Sequence, residues 1–203
     1  MDRNAGKDFA LVAIAVDAQG PEAARPWAEA AGATFTTVVD RENRLAALYD
    51  YKLVPNGIFL DERGIVRYAK IGGFSVENAA DVDAIQRLID GDAAQIAAES
   101  RAVPYRLGAT ERALVEARMR RGGELFRRGA REEAVAEWQR ALRLDPENLT
   151  IRKQIWMARY PERFHPTIDF AWQTGQLRRE REEELAAGIC GPDGCPLPGA
   201  DSR

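Results

Sequence analysis

No cysteine occurs upstream of Cys190, and Cys190 and Cys195 are the only two in the 203-residue chain. That excludes a disulfide framework for the body of the protein. Histidine is scarcer still, with His165 alone. Neither a His-Glu-x-x-His metal motif, a Gly-x-Ser-x-Gly elbow nor a Gly-rich phosphate loop appears. No apolar run reaches the length of about 18 residues needed to span a membrane. The short apolar stretch in MDRNAGKDFALVAIAVD lacks a small-residue cleavage site and ends in Asp17, so it reads as a strand and not as a signal peptide. Read literally, the chain is cytoplasmic, with a periplasmic or membrane-anchored location open to a longer form. Lysine is confined to Lys7, Lys52, Lys70 and Lys153 within a Lys+Arg total of 29. With so much alanine, the arginine bias reflects base composition. The net charge of -3 and pI near 5.4 argue against a nucleic-acid footprint.

What remains is a chain with 45% hydrophobic residues, enough for one sizeable core or two small ones. Phe9 to Val16 is a near-continuous β-branched run, which predicts a strand buried on both faces. Pro21 suits the first residue of a helix running through Ala31, with Gly32 stopping it. Thr34 to Val39 reads as a second strand, and Asp40 as the cap of a helix through Tyr49. A hairpin follows: Pro55 opens the apolar run Ile58-Phe59-Leu60, Asp61 to Gly64 turns, and Ile65 to Ile71 returns. Ser75 begins an amphipathic helix to Ile89. The order β-α-β-α-β-β-α over residues 1–90 is an α/β signature. Residues 91–109, with Pro104, read as a weakly patterned linker.

From Thr110 the pattern is all helical. Gly122, Leu125, Gly129, Ala134, Trp138, Ala141 and Pro146 fall at the key spacings of a tetratricopeptide repeat. Gly122 and Ala134 would let two antiparallel helices approach closely, Gly129 would turn the chain, and Leu125 and Trp138 would fill the seam. Pro146 would start the next helix after an Asp145 cap, with Glu147 to Ala158 completing a unit over 110–160. One repeat is below the usual three needed for independent stability, so this one must pack on something else. Residues 161–187 hold an aromatic segment, Phe164, Phe170 and Trp172, and a charged helix from Gln176. There Arg178, Arg179 and Arg181 precede Glu182, Glu183 and Glu184, the less favourable order. Residues 188–203 form a Gly- and Pro-rich tail carrying both cysteines, which composition predicts to be mobile.

VAIAVD (Val12 to Asp17), TFTTVVD (Thr34 to Asp40) and LYDYKLVPNGIFLDERGIV (Leu48 to Val66) stand in the order found in thioredoxin-like redoxins. Residues 9–90 resemble the bacterial thiol-disulfide oxidoreductases of the TlpA and ResA kind, which grade into the AhpC/TSA peroxiredoxins. The expected architecture is therefore an incomplete α/β thioredoxin-like domain followed by an all-α tetratricopeptide-like unit. The resemblance implies that Pro55 is a cis-proline shaping a substrate groove with Val54 and Asn56, where Asn56 replaces the usual threonine. An ordinary edge-strand proline is the other reading. The family's Trp-Cys-x-x-Cys segment and the strand leading into it have no counterpart, which implies a gap in the sheet between the strands at Leu11–Val16 and Ile58–Leu60. On this expectation Met1 is an internal methionine, and roughly 50–80 upstream residues, within ordinary domain sizes, carry the missing strand and cysteines.

Three readings of Cys190-x4-Cys195 stay open: an inert tail, a redox pair exchanging with protein thiols, or soft-metal capture. Two thiolates fall short of a four-ligand zinc site, and no cofactor is implied. His165 reads as a surface or packing residue, and Arg118, Arg120, Arg121, Arg127 and Arg128 as a solvated face or a patch for an acidic partner. Partners are expected to be protein thiols and disulfides, or a protein held by the helical unit.

Overall fold

The computed structural model describes residues 4, 6–100 and 105–188. These contain five strands and seven α-helices: β1 (Val12–Val16), α1 (Pro21–Ala30), β2 (Thr36–Asp40), α2 (Arg44–Tyr49), β3 (Gly57–Leu60), β4 (Val66–Ile71), α3 (Ala79–Ile89), β5 (Glu99–Ser100), α4 (Ala109–Arg127), α5 (Arg131–Leu144), α6 (Leu149–Arg159) and α7 (Phe170–Ala186). The mixed α/β class and the element order through α3 are as expected. Two compact units do not follow chain order. One is drawn from Met1–Ala15, Arg25–Val38 and Leu53–Ala102, the other from Val16–Ala24, Val39–Lys52 and Val103–Arg203. No helix among the described residues is long and apolar enough to cross a membrane.

The strands form two separate sheets, β1-β2 and β3-β4-β5, with no ladder between β1 and β3 among the described residues. β1 is shorter than expected and is not buried on both faces, since Val12 and Ile14 are 48% and 42% exposed. A strand with one neighbour cannot cover its apolar side chains by itself, and a two-stranded ribbon is only marginally stable. In the β3-β4 hairpin, Asp61 Oδ1 accepts from the backbone N–H groups of Arg63 and Ile65, each at 2.9 Å. Gly64 at φ 76° closes that turn. Strand register runs from Gly57 opposite Lys70 to Leu60 opposite Val66, with an irregularity between Phe59 and Leu60. β5, parallel to β4, lies in the stretch read as linker. Two residues are too few to carry a period, so no pattern could announce it.

The starts of α2, α3 and α6 fall later in the chain than expected. Asp40 ends β2, and its Oδ2 accepts from Leu45 N at 2.9 Å while α2 itself starts at Arg44. Asn78, not Ser75, caps α3 by accepting from Ala80 N at 2.9 Å. Ser75 N instead donates to Asp81 Oδ2 at 2.9 Å. Asn148 caps α6 by accepting from Ile151 N at 3.1 Å, so that helix begins at Leu149 and not at Pro146.

The core of the second unit is the α4-α5-α6 seam. A Cβ on Gly122 would lie 2.3 Å from Trp138 Nε1, so only glycine lets the indole sit there. That indole is 1% exposed and donates to the Met119 carbonyl at 3.3 Å. Ala134, Ala141 and Ile151 are fully buried around it, and Leu125 is 7% exposed. Gly129 at φ 81° makes the turn between α4 and α5. α7 starts earlier than the charged run, with Asp169 Oδ1 accepting from Trp172 N at 2.8 Å. It is tied to α6 by Arg152, 1% exposed, which donates to Glu180 at 2.8 Å and Glu184 at 2.6 Å.

Candidate functional site

In the first unit the residues Val54, Pro55 and Asn56 are brought together by a clamp. The Val54-Pro55 peptide is cis. Asn56 Nδ2 donates to the Leu53 carbonyl at 2.9 Å, and Asn56 Oδ1 accepts from Gly72 N at 2.7 Å. One amide thus joins both ends of the hairpin. Phe74 N donates to the Pro55 carbonyl at 3.3 Å, and the Phe74 ring lies where a Cβ on Gly57 would be, 2.3 Å away. Pro55 stays exposed while Val54 and Asn56 are half-buried. The loop offers a shaped, uncharged surface with no nucleophile of its own.

Ionisable groups of this unit gather at β4 and α3. Lys70 Nζ donates to Asp81 Oδ1 at 2.5 Å, and Asp81 is 2% exposed. The Lys70 ammonium and the Ser75 amide hold the Asp81 carboxyl below its usual range, and donating to Asp81 pushes Lys70 up. The Tyr68 hydroxyl is buried without a hydrogen-bond partner. Burial, with Glu99 and Asp81 nearby, raises its phenol. Both oxygens of Asp81 are engaged, so the pair fixes α3 to the sheet and leaves no free base.

The second unit holds a buried polar knot that sequence reading missed. Lys52 is paired with Asp145, whose Oδ1 also accepts from the Tyr105 hydroxyl at 2.6 Å. Asn148 Nδ2 donates to Asp145 Oδ2 at 2.8 Å, and Glu147 N donates to the Tyr105 oxygen at 2.9 Å. Lys52 Nζ lies 4.2 Å from the Tyr105 ring centre, an added cation–π contact. Burial and the Asp145 bond raise the Tyr105 phenol. Both carboxylate oxygens of Asp145 are satisfied, so it is an anchor and not an available base. Beside the knot lies a cavity of about 50 Å³ lined by Asn43, Tyr51, Val115 and Met119 among others. Asn43 Oδ1 is buried there without a partner, and desolvation pushes the Tyr51 phenol up to about 12.

Cys190 and Cys195 lie outside the described residues. Among the described residues, no group of three or more His, Cys, Asp or Glu side chains could hold a metal ion. His165, half-buried, contributes to the field around Asp17. Of the arginines read as a face or patch, Arg118 pairs with Glu137 at 2.7 Å and Arg121 with Glu124 at 3.5 Å. The Lys52–Asp145 pairing had no sequence signal, because its partners are 93 positions apart. Glu180 and Glu184, four apart on one helix face, did carry a signal for a shared cation. No family model, curated protein or solved structure matches this chain.

Proposed function

We propose that this chain is a redoxin-family protein, a thioredoxin-like thiol-disulfide oxidoreductase type represented without a Cys-x-x-Cys, and joined to a tetratricopeptide-like helical unit. The supporting observation is the element order β1-α1-β2-α2-β3-β4-α3, in which the Pro55 loop is pinned across the hairpin by Asn56. On this reading the Pro55 loop is a substrate-side wall, and any thiol chemistry falls to Cys190 and Cys195. A thiolate attacks one sulfur of a substrate disulfide, forming a mixed disulfide and expelling the other sulfur as a thiolate. The second cysteine then displaces the bound sulfur, so that two protein thiols are oxidised as one substrate disulfide is reduced. Dithiothreitol-driven insulin reduction tests this. Activity above buffer that disappears in Cys190→Ser/Cys195→Ser supports it, whereas background rates for both chains overturn thiol chemistry by this polypeptide.

A second reading, a non-catalytic protein-interaction module, is favoured by one observation. The helical seam is complete, while every buried carboxylate described above is already spent on a structural partner. It predicts partner binding that persists after both cysteines are alkylated.

A further inference from the structure

Within the second unit, α2 is the least secured helix. It has six residues and none of them is buried. It is flanked by Asn43 and Asp50, the two non-glycine residues with positive φ among the described residues, at 54° and 51°. Its N-cap residue Asn43 makes no capping bond, and only Asp40 reaches its first turn, accepting from Leu45 N at 2.9 Å. Beneath it lies α4, where Val115 and Met119 are each 8% exposed. Between the two helices the cavity of about 50 Å³ remains, with Asn43 Oδ1 unpartnered at its wall. The segment helps bury Val115 and Met119, yet it leaves a gap and an orphaned acceptor in its own contact with α4.

The charges of this segment are nevertheless matched to α4. Glu42 is held below its usual carboxyl range first by its bond from Arg44, and also by the fields of Arg127 and Arg120 on α4. Asp50 lies 3.8 Å from Arg112. Ala46 and Ala47, between the two acids, line the cavity opposite Val115 and Met119. Arg127 has no ion pair among the described residues apart from the field of Glu42. The chain thus shows what chemistry the face accepts.

We infer that this α4 face is an interaction surface for a helical segment of a partner protein, and that α2 with its flanking acids is the chain's own displaceable occupant. The partner segment carries an acid, small apolar residues four and five positions on, and a second acid eight positions on, as Glu42, Ala46, Ala47 and Asp50 do. The acids meet Arg127 and Arg120 at one end, where Arg120 also lies 4.0 Å from Glu116 of α4, and Arg112 at the other, and the small residues leave room for Val115 and Met119. This deepens the interaction-module reading by naming the partner's chemistry and its internal competitor. It does not depend on the thiols.

The probe is a fluorescein-labelled synthetic peptide with the sequence of residues 40–52, titrated against the full chain. Reversing the two acids in Glu42→Lys/Asp50→Lys repels the resident segment from α4. Asp40→Ala loosens it separately, by removing the acceptor for Leu45 N. Both variants should bind the peptide about tenfold more tightly than the unaltered chain, since the competent face is no longer covered. Arg112→Glu/Arg120→Glu should abolish binding, and a peptide with both acids made lysine should restore it. Rising salt should weaken every productive pair. The inference is overturned if neither loosened variant gains affinity, or if a peptide with both acids replaced by glutamine binds as well. A partner that binds the alkylated chain but ignores Arg112 and Arg120 would also sink this surface, while leaving the interaction-module reading intact.

Discussion

The α4-α5 seam and the β1-β2 ribbon are both built from apolar residues, yet they end in opposite states. Trp138 is 1% exposed in the seam, while Val12 is 48% exposed in the ribbon. The seam needs only its own neighbours: Gly122, Ala134 and the turn at Gly129 fold one helix directly onto the next. The ribbon needs a third element to cover it and has one ladder only. Local antiparallel contact therefore completes a core here, and β-branched composition alone does not. The sharpest test of this contrast is Trp138→Ala against Val12→Ser in urea unfolding. Loss of the indole should cost about 3–5 kcal/mol, as for other large core truncations. The strand change should stay within about 0.5 kcal/mol, as at other exposed sites. Equal losses would break the comparison and mean that β1 is covered in solution.

The next largest effect concerns how charge is used in two places on the helical unit. Arg152 is 1% exposed and bridges Glu180 and Glu184, which also receives Arg181; Glu180 accepts from Trp156 Nε1 at 2.6 Å as well. Arg118 and Glu137 form a pair nearer the surface, with 37% and 13% of their side chains exposed. Arg152→Ala should cost roughly 2–3 kcal/mol, on the low side for broken buried pairs because both glutamates keep some water. Arg118→Ala should cost at most about 1 kcal/mol. Chemical denaturation of both variants checks this, and similar losses would mean that burial does not govern these pairs.

Much of this was legible in the residues, and for physical reasons. Gly122, Gly129 and Trp138 announced the seam because close approach, a positive φ and a large buried ring each demand a particular residue type. Pro55 and the Asp61–Gly64 turn announced the hairpin in the same way. Lys52 with Asp145 was invisible, since a long-range ion pair leaves no spacing to read. β1 is more exposed than its sequence predicts because a continuous apolar run reports what a strand could bury, not whether a neighbour is there to bury it. Asp145 reads locally as a helix cap, whereas its oxygens serve Lys52, Tyr105 and Asn148.

The smallest effect separates two carboxylates by sign. Asp81 in the first unit is held below 3.8, chiefly by Lys70. Its contribution is present above the unfolded value and is lost as pH falls through the folded one. Asp17 in the second unit is raised above 3.8 by burial, against the opposing bond from Gln19 N and the field of His165. A raised carboxyl binds its proton more tightly when folded, so its contribution is greatest below 3.8 and is lost as pH rises through the folded value. Asp81→Asn should therefore destabilise at pH 7, and by less as pH falls below 3.8 toward the lowered folded value. Asp17→Asn keeps an oxygen to accept from Gln19 N and removes a half-buried charge, so it should raise the unfolding midpoint slightly at pH 7 and leave it unchanged at pH 3. If Asp17→Asn instead destabilises at pH 7, the ionised carboxylate is being stabilised by its surroundings, and the contrast between the two acids disappears.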